Sequence, residues 1–191
     1  MPSINRNKIY LPNTVYHVYN RGVNKQAIFH HNKDYLFYLL CLKEYLSPKH
    51  VLIDELNAAT ISEVTKQKKL EYLLKLKNFY GAIDLLAYCL MPNHIHLLLK
   101  QDDAHDMEKF MQSLHTRYGK HHAKRYNRIG PLYQDRYRAK PILDSQYLLD
   151  VSRYIHLNPI GLGINFDTYS WSSVRFYKST KNPQWLNKSV R

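Results

Sequence analysis

Tyr88-Cys89-Leu90-Met91-Pro92-Asn93-His94-Ile95-His96-Leu97-Leu98-Leu99 is the stretch around which the fold is predicted. Two apolar stretches are separated by Pro92-Asn93, which is typical of two strands joined by a tight turn. Because side chains alternate between faces along a strand, His94 and His96 share one face and Ile95 points to the other. Two neighbouring imidazoles supply half of a metal site, or they are ordinary polar residues on an exposed strand.

The chain has 191 residues and a large excess of positive charge, with 28 Lys and Arg against 15 Asp and Glu and a formal net charge of +13. The length suits one domain with a substantial core. The charge predicts a polyanionic partner, and nucleic acid is the first candidate. An anionic membrane would favour a basic amphipathic helix or a terminal anchor, whereas residues 1–6 have no apolar signal region and no apolar run approaches a membrane span. Cys41 and Cys89 lie in apolar segments, so we expect reduced, buried thiols and a cytoplasmic location.

The order of elements follows from periodicity and turn residues. Strands are predicted at 15–20, 79–91, 94–100 and 132–142, and helices at 35–46, across an insertion at 49–78, from Met107 to beyond Tyr118, and at 146–158. This order matches an α+β fold of the ferredoxin-like, split βαβ type, an antiparallel sheet with helices on one face. In this order the helical insertion follows the first helix.

The segment 109–140 is strongly basic, with nine Lys or Arg and one acidic residue, Asp135. A helix face that is merely solvated does not require such an excess of positive over negative side chains, so the segment predicts a phosphate-binding surface. The residues assigned to it are Arg117, Lys120, Lys124, Arg125, Arg128, Arg136, Arg138 and Lys140. The basic tail 161–191 either packs on the domain or holds the ligand. Seventeen tyrosines, interleaved with basic residues in the second half, suit base stacking or ordinary packing.

The last predicted helix carries an apolar stripe of Leu148, Val151 and Ile155. Tyr154 and Asn158 lie one turn apart at the edge of that stripe. A phenol and an amide in this position either pack against the core or lean over a neighbouring sheet.

His94-Ile95-His96 on a strand and Tyr154-Ile155-His156-Leu157-Asn158-Pro159 on a late helix together resemble the HUH single-tyrosine transposases. Within that superfamily, Tyr16-His17-Val18-Tyr19-Asn20-Arg21-Gly22 and the segments 88–96 and 153–159 resemble the REP-associated tyrosine transposases. The resemblance covers about 15–177, and the whole chain 1–191 is expected to form one such domain. It departs from the family at the 49–78 insertion and at Asn158, where many insertion-sequence relatives have Gln.

The resemblance implies a metal-dependent single-stranded DNA transposase or endonuclease that cleaves and rejoins strands at hairpin-containing sites through a 5′-phosphotyrosine intermediate. It assigns Tyr154 as the nucleophile and His94, His96 and Asn158 as ligands of one Mg²⁺ or Mn²⁺ ion. The implied partner is single-stranded or hairpin DNA, with no membrane. The REP-associated branch implies a monomer, whereas insertion-sequence relatives exchange the tyrosine helix within dimers.

Two other functions remain open from the sequence. A non-catalytic ferredoxin-like module that binds nucleic acid explains the charge, but it gives no reason for His94, His96 and Tyr154 to occur together. A replication initiator or relaxase shares the histidine motif, but such proteins commonly carry further domains for which 191 residues leave little room.

Overall fold

The computed structural model describes residues 10–180 and 182–188. Residues 1–9, 181 and 189–191, which belong to the predicted domain and its basic tail, lie outside the described residues. Within the described part, four antiparallel strands form one sheet in the order β2-β3-β1-β4. The strands are β1 (Val15–Arg21), β2 (Ile83–Met91), β3 (His94–Gln101) and β4 (Arg138–Ile142). This order is that of a split βαβ sheet, so the predicted α+β, ferredoxin-like class is confirmed.

Six α-helices accompany the sheet in the described part of the chain. They are α1 (Asn32–Leu46), α2 (Lys49–Ala58), α3 (Glu63–Lys75), α4 (Asp106–Tyr126), α5 (Ser145–Leu157) and α6 (Val174–Tyr177). α2 and α3 occupy the predicted insertion and bury a small cluster of Leu52, Leu56 and Leu73 between them. Short 3-10 helices cover Val23–Lys25 and Asn158–Leu162.

Helices cover both faces of the sheet. α1 and α4 pack on the face that carries Ile95 and Leu97, whereas α5 packs through Val151 and Ile155 on the face that carries Leu98. The prediction that the helices lie on one face therefore holds for α1 and α4, which connect strands of the sheet, and is wrong for α5. The reason is that β2 is apolar on both of its faces, so a second apolar surface is left for the stripe of α5 to bury.

β4 is shorter than predicted, spanning Arg138–Ile142 rather than 132–142. The preceding residues run as an irregular segment in which Tyr133 pairs with Gly22 through an isolated bridge and Leu132 enters the core. Pro141 lies at the free edge of the sheet, where a missing backbone donor is tolerated.

The C-terminal segment 169–173 covers the outer edge of β2. Its hydrogen bonds join Leu90 N to Trp171 O, Ser173 N to Tyr88 O, Tyr88 N to Ser173 Oγ, and Tyr169 Oη to Leu90 O, at distances of 2.7–2.9 Å. Backbone groups of an edge strand that would otherwise face solvent are satisfied by this segment. Of the two roles considered for the tail, packing on the domain is the one that these residues perform.

Both cysteines, Cys41 and Cys89, are buried free thiols. No helix in residues 10–180 and 182–188 combines the length and the apolar character needed to cross a membrane.

Candidate active site

His94 and His96 lie at the start of β3 and point to the face of the sheet that α5 covers. Their rings are 5.0 Å apart and nearly perpendicular, and Ile95 between them is fully buried on the opposite face. Burial lowers the pKa of His96 to about 3 and also lowers the pKa of His94. Both imidazoles are therefore neutral at pH 7, which is the form that binds a metal ion.

The tautomer of His94 follows from its neighbour Asn93. The Asn93 amide nitrogen donates to Lys25 O at 3.0 Å, so its carbonyl oxygen is the atom 2.7 Å from His94 Nδ1. A carbonyl oxygen only accepts, so His94 donates from Nδ1 and keeps a lone pair on Nε2. The loop that holds Asn93 depends on Gly22, because a Cβ there would lie 2.2 Å from Gln26 O.

His96 has an imidazole as its neighbour. His17 on β1 points to the same face, and its Nε2 lies 2.8 Å from His96 Nδ1. The two rings are 5.1 Å apart at an interplanar angle of 24°, so they are close to coplanar and hydrogen-bonded. Burial, and to a smaller extent the nearby Lys140, lowers the pKa of His17 to about 4.

Tyr154 on α5 lies over this row of histidines. Its ring centroid is 5.7 Å from His96 and 5.9 Å from His17, edge-on to both, and its side chain is half exposed. α5 begins one residue before the predicted start, after an N-cap in which the Asp144 carboxylate accepts from Tyr147 N at 2.7 Å. The nucleophile predicted from sequence and the two histidines thus meet within a single chain.

Asn158 follows one turn after Tyr154, at the start of the 3-10 helix. Its amide nitrogen donates to Tyr154 O at 2.8 Å, which leaves the amide oxygen for other partners. A side-chain hydrogen bond with Asn158 raises the pKa of His94 and so offsets part of the larger lowering by burial. The amide is therefore on the His94 side of the site, and Asn158 is the residue that the family resemblance implies as a third ligand.

This donor set fits a divalent ion that accepts nitrogen and oxygen ligands, such as Mn²⁺ or Mg²⁺. Two neutral imidazoles and one amide oxygen converge from β3 and the end of α5. Within residues 10–180 and 182–188, no three His, Cys, Asp or Glu side chains are grouped to hold a metal. A site here therefore needs Asn158 as well as the histidines.

Two cavities of about 330 and 500 Å³ adjoin on either side of His96 and Tyr19, which line both. The first also contains His94 and the exposed guanidinium groups of Arg21, Arg136 and Arg138. The second also contains His17, Lys140, Tyr147, Asp150 and Tyr154. Together they form a groove across the sheet face, with Arg and Lys side chains along it and Tyr154 and the histidines at its centre.

The predicted basic surface is divided by the fold. Arg136, Arg138 and Lys140 line the groove, but Lys120 and Lys124 lie exposed on α4, which packs on the other face of the sheet. Two further members make contacts within the protein: Arg125 pairs with Asp34 at 3.3 Å, and Arg128 donates to Pro131 O at 2.9 Å.

Arg117, which was predicted to bind DNA, is mostly enclosed by the protein and is not part of a solvent-facing surface. Its side chain is 16% exposed and forms an ion pair with Glu44, which is 4% exposed. The guanidinium carbon lies 5.3–5.5 Å from the ring centroids of Phe37, Tyr45 and Tyr72. A planar cation that stacks on aromatic rings suits this enclosed position.

We expect Arg117→Ala to destabilise the fold. Loss of one partner from a buried ion pair leaves the Glu44 charge unpaired, which costs about 3 kcal/mol or more in the free energy of unfolding. Urea denaturation measures this change, with Lys120→Ala as the exposed control, which should change it by less than about 0.5 kcal/mol. Unchanged stability together with weaker hairpin binding in Arg117→Ala would return this residue to the DNA surface.

His17, Tyr19 and Arg21 belong to the site but were not assigned to it from the sequence. The signal was present in the alternation of 15–20, which places His17 and Tyr19 on one face of β1, and Arg21, the last residue of the observed strand, continues that face. In a split βαβ sheet β1 is the neighbour of β3, so that face adjoins His94 and His96.

Residues 45–158, more than half of the chain, match the family model described as "Transposase IS200 like". A solved structure of a REP-associated tyrosine transposase bound to a REP hairpin is similar in fold, with a TM-score of 0.59 at 11% sequence identity. The alignment covers 97% of this chain and 92% of that chain. No curated protein matches the sequence.

Proposed function

The chain belongs to the IS200-like transposase family, and from this premise we propose that it cleaves and rejoins single-stranded DNA at hairpin-containing sites, with Tyr154 as the nucleophile. The observation that carries the proposal is the position of Tyr154, whose ring lies 5.7 Å from His96 at the centre of a cation-lined groove. The hairpin ligand of the structurally similar transposase supports a substrate of this kind.

In the cleavage step, the Tyr154 hydroxyl oxygen attacks the phosphorus of the scissile phosphodiester. The phenolic proton leaves, the bond from phosphorus to the 3′-oxygen breaks, and that oxygen takes up a proton to become a free 3′-hydroxyl. The 5′-phosphate remains on Tyr154 as a phosphotyrosine. The phosphate remains a diester, now between Tyr154 and the 5′-oxygen of the DNA. A 3′-hydroxyl can therefore attack it, reverse the step and join strands without a nucleotide cofactor.

His94, His96 and Asn158 are the residues that would hold one Mg²⁺ or Mn²⁺ ion. Such an ion, when bound, polarises the scissile phosphate and orients it. The protein residues prepare the position: Asn93 fixes the tautomer of His94, and burial keeps both imidazoles neutral. The side-chain amide of Asn158 donates a hydrogen bond to the backbone oxygen of Tyr154. This bond holds the proposed ligand and the proposed nucleophile one helical turn apart.

The groove is the proposed path of the DNA strand next to the cleavage site. Arg21, Arg136 and Arg138 line it near His94, and Lys140 lines it near Tyr154. Cations on both sides of the reacting phosphate neutralise the flanking phosphates. Tyr19, between the two cavities, offers a ring on which a base can stack.

The test is covalent capture. The wild-type protein is incubated with end-labelled single-stranded DNA that contains a hairpin, with Mn²⁺ or Mg²⁺, and is then denatured. A labelled adduct that survives denaturation is expected. Binding of the same DNA with no adduct across a range of hairpins would instead favour the non-catalytic binding module, which shares the fold and the charge.

We expect the protein to be a monomer, because one chain supplies Tyr154 together with both histidines and because the C-terminal segment covers the β2 edge. A covered edge is not available for pairing with a second sheet. Light scattering at micromolar concentration should return 22.8 kDa. A particle of twice that mass would contradict the expectation.

A further inference from the structure

The two histidines of the proposed metal site differ in what holds them. His94 donates a hydrogen bond to the side-chain carbonyl oxygen of Asn93, and a carbonyl oxygen can only accept. His96 instead faces the ring nitrogen of His17 at 2.8 Å. An imidazole nitrogen is either a donor or an acceptor, so this bond has two arrangements and the backbone alone does not select between them.

Only one arrangement leaves His96 able to bind a metal through Nε2. If His17 Nε2 accepts, the proton lies on His96 Nδ1 and the lone pair on His96 Nε2 is free. If His17 Nε2 donates, His96 carries its proton on Nε2 and that atom is not a ligand. Histidine ligands of metals generally donate their second ring N–H to an acceptor that fixes tautomer and orientation.

We propose that His17 is the positioning residue that sets the tautomer and ring orientation of His96, through the bond between His17 Nε2 and His96 Nδ1. The inference rests on the proposed function, because it assumes that His96 binds the ion. Its geometry is specific: the two rings are 5.1 Å apart and within 24° of coplanar, as a bond between ring edges requires.

His17 is not explained as a third ligand. No group of three His, Cys, Asp or Glu side chains in the described residues is arranged to hold a metal, and His17 Nε2 already engages His96. Burial alone does not explain the hydrogen bond between His17 and His96 either, because other buried histidines among the described residues have no such partner. His115 and His122 have buried ring nitrogens that lack a hydrogen-bond partner in the described part of the chain.

The test measures Mn²⁺ binding directly, without DNA, from the loss of the electron paramagnetic resonance signal of the free ion. His17→Leu removes the acceptor and should weaken Mn²⁺ binding by about tenfold to a hundredfold. His17→Gln places an amide oxygen near the position of Nε2 and should bind Mn²⁺ more tightly than His17→Leu. His122→Leu, which removes a buried imidazole from α4, is the matched control and should bind as the wild type does.

A second readout separates positioning from a general structural role. Cleavage by His17→Leu should be restored by raising the Mn²⁺ concentration, which a general loss of structure would not allow. Equal Mn²⁺ affinity of His17→Leu and the wild type would overturn the inference while leaving the proposed function intact. Absence of Mn²⁺ binding by the wild type would instead remove the metal site itself, and the inference with it.

Discussion

Tyr154→Phe should lose the covalent adduct with DNA and retain hairpin binding close to that of the wild type. The substitution removes one hydroxyl from a half-exposed side chain, so α5 and its apolar stripe are unaffected. Without the nucleophilic oxygen, cleavage should fall to about a thousandth of the wild-type rate or less. The measurements are the labelled adduct after denaturation and the dissociation constant for a hairpin oligonucleotide.

Tyr147→Phe is the matched control for the proposed nucleophile. Tyr147 lies on the same helix, is 48% exposed and lines the same cavity as Tyr154. No amide follows it one turn later, and no histidine ring contact is found for it among the described residues. Tyr147→Phe should therefore still form the adduct. An adduct in Tyr154→Phe that disappears in Tyr147→Phe would reverse the assignment.

His96→Ala and His94→Ala should each abolish metal-dependent cleavage, with a loss of about a hundredfold or more. Each substitution removes one of two imidazoles from a set with only one further ligand, Asn158. Excess chelator should have the same effect on the wild type. Cleavage rate against Mn²⁺ and Mg²⁺ concentration is the measurement.

His50→Ala serves as the control, because His50 is an exposed histidine on α2, outside the groove. It should cleave as the wild type does. Full cleavage by the wild type in chelator would refute the metal requirement, and full cleavage by His96→Ala would refute the ligand set while leaving Tyr154 as the nucleophile.

Local patterns were sufficient to predict the main parts of the site. The alternation of side chains along β3 placed His94 and His96 on one face of the sheet. The helical spacing of the apolar residues Leu148, Val151 and Ile155 placed Tyr154 at the margin of a buried stripe. Both patterns depend on residues close together in sequence. What brings the two parts together is the packing of α5 on the sheet face that carries the histidines, and this packing was not predicted.

Contacts between distant residues were not predictable in the same way. The basic bias of 109–140 gave no indication that Arg117 pairs with Glu44, because Glu44 lies on another helix 73 residues away. The bond between His17 and His96 likewise joins strands 79 residues apart and depends on their register. Sequence periodicity indicates which side chains share a face, whereas tertiary packing decides which of them touch.

The covered edge of β2 has a consequence for biosynthesis. Ser173 bonds Tyr88 across 85 residues, so β2 is made long before the segment that covers it. During synthesis on the ribosome, an apolar strand with open backbone donors and acceptors therefore persists until the last part of the chain emerges. Chains that stop before Tyr169 would keep that edge exposed for their whole lifetime. Premature termination should thus yield aggregation-prone fragments even when every residue that lines the groove has been made.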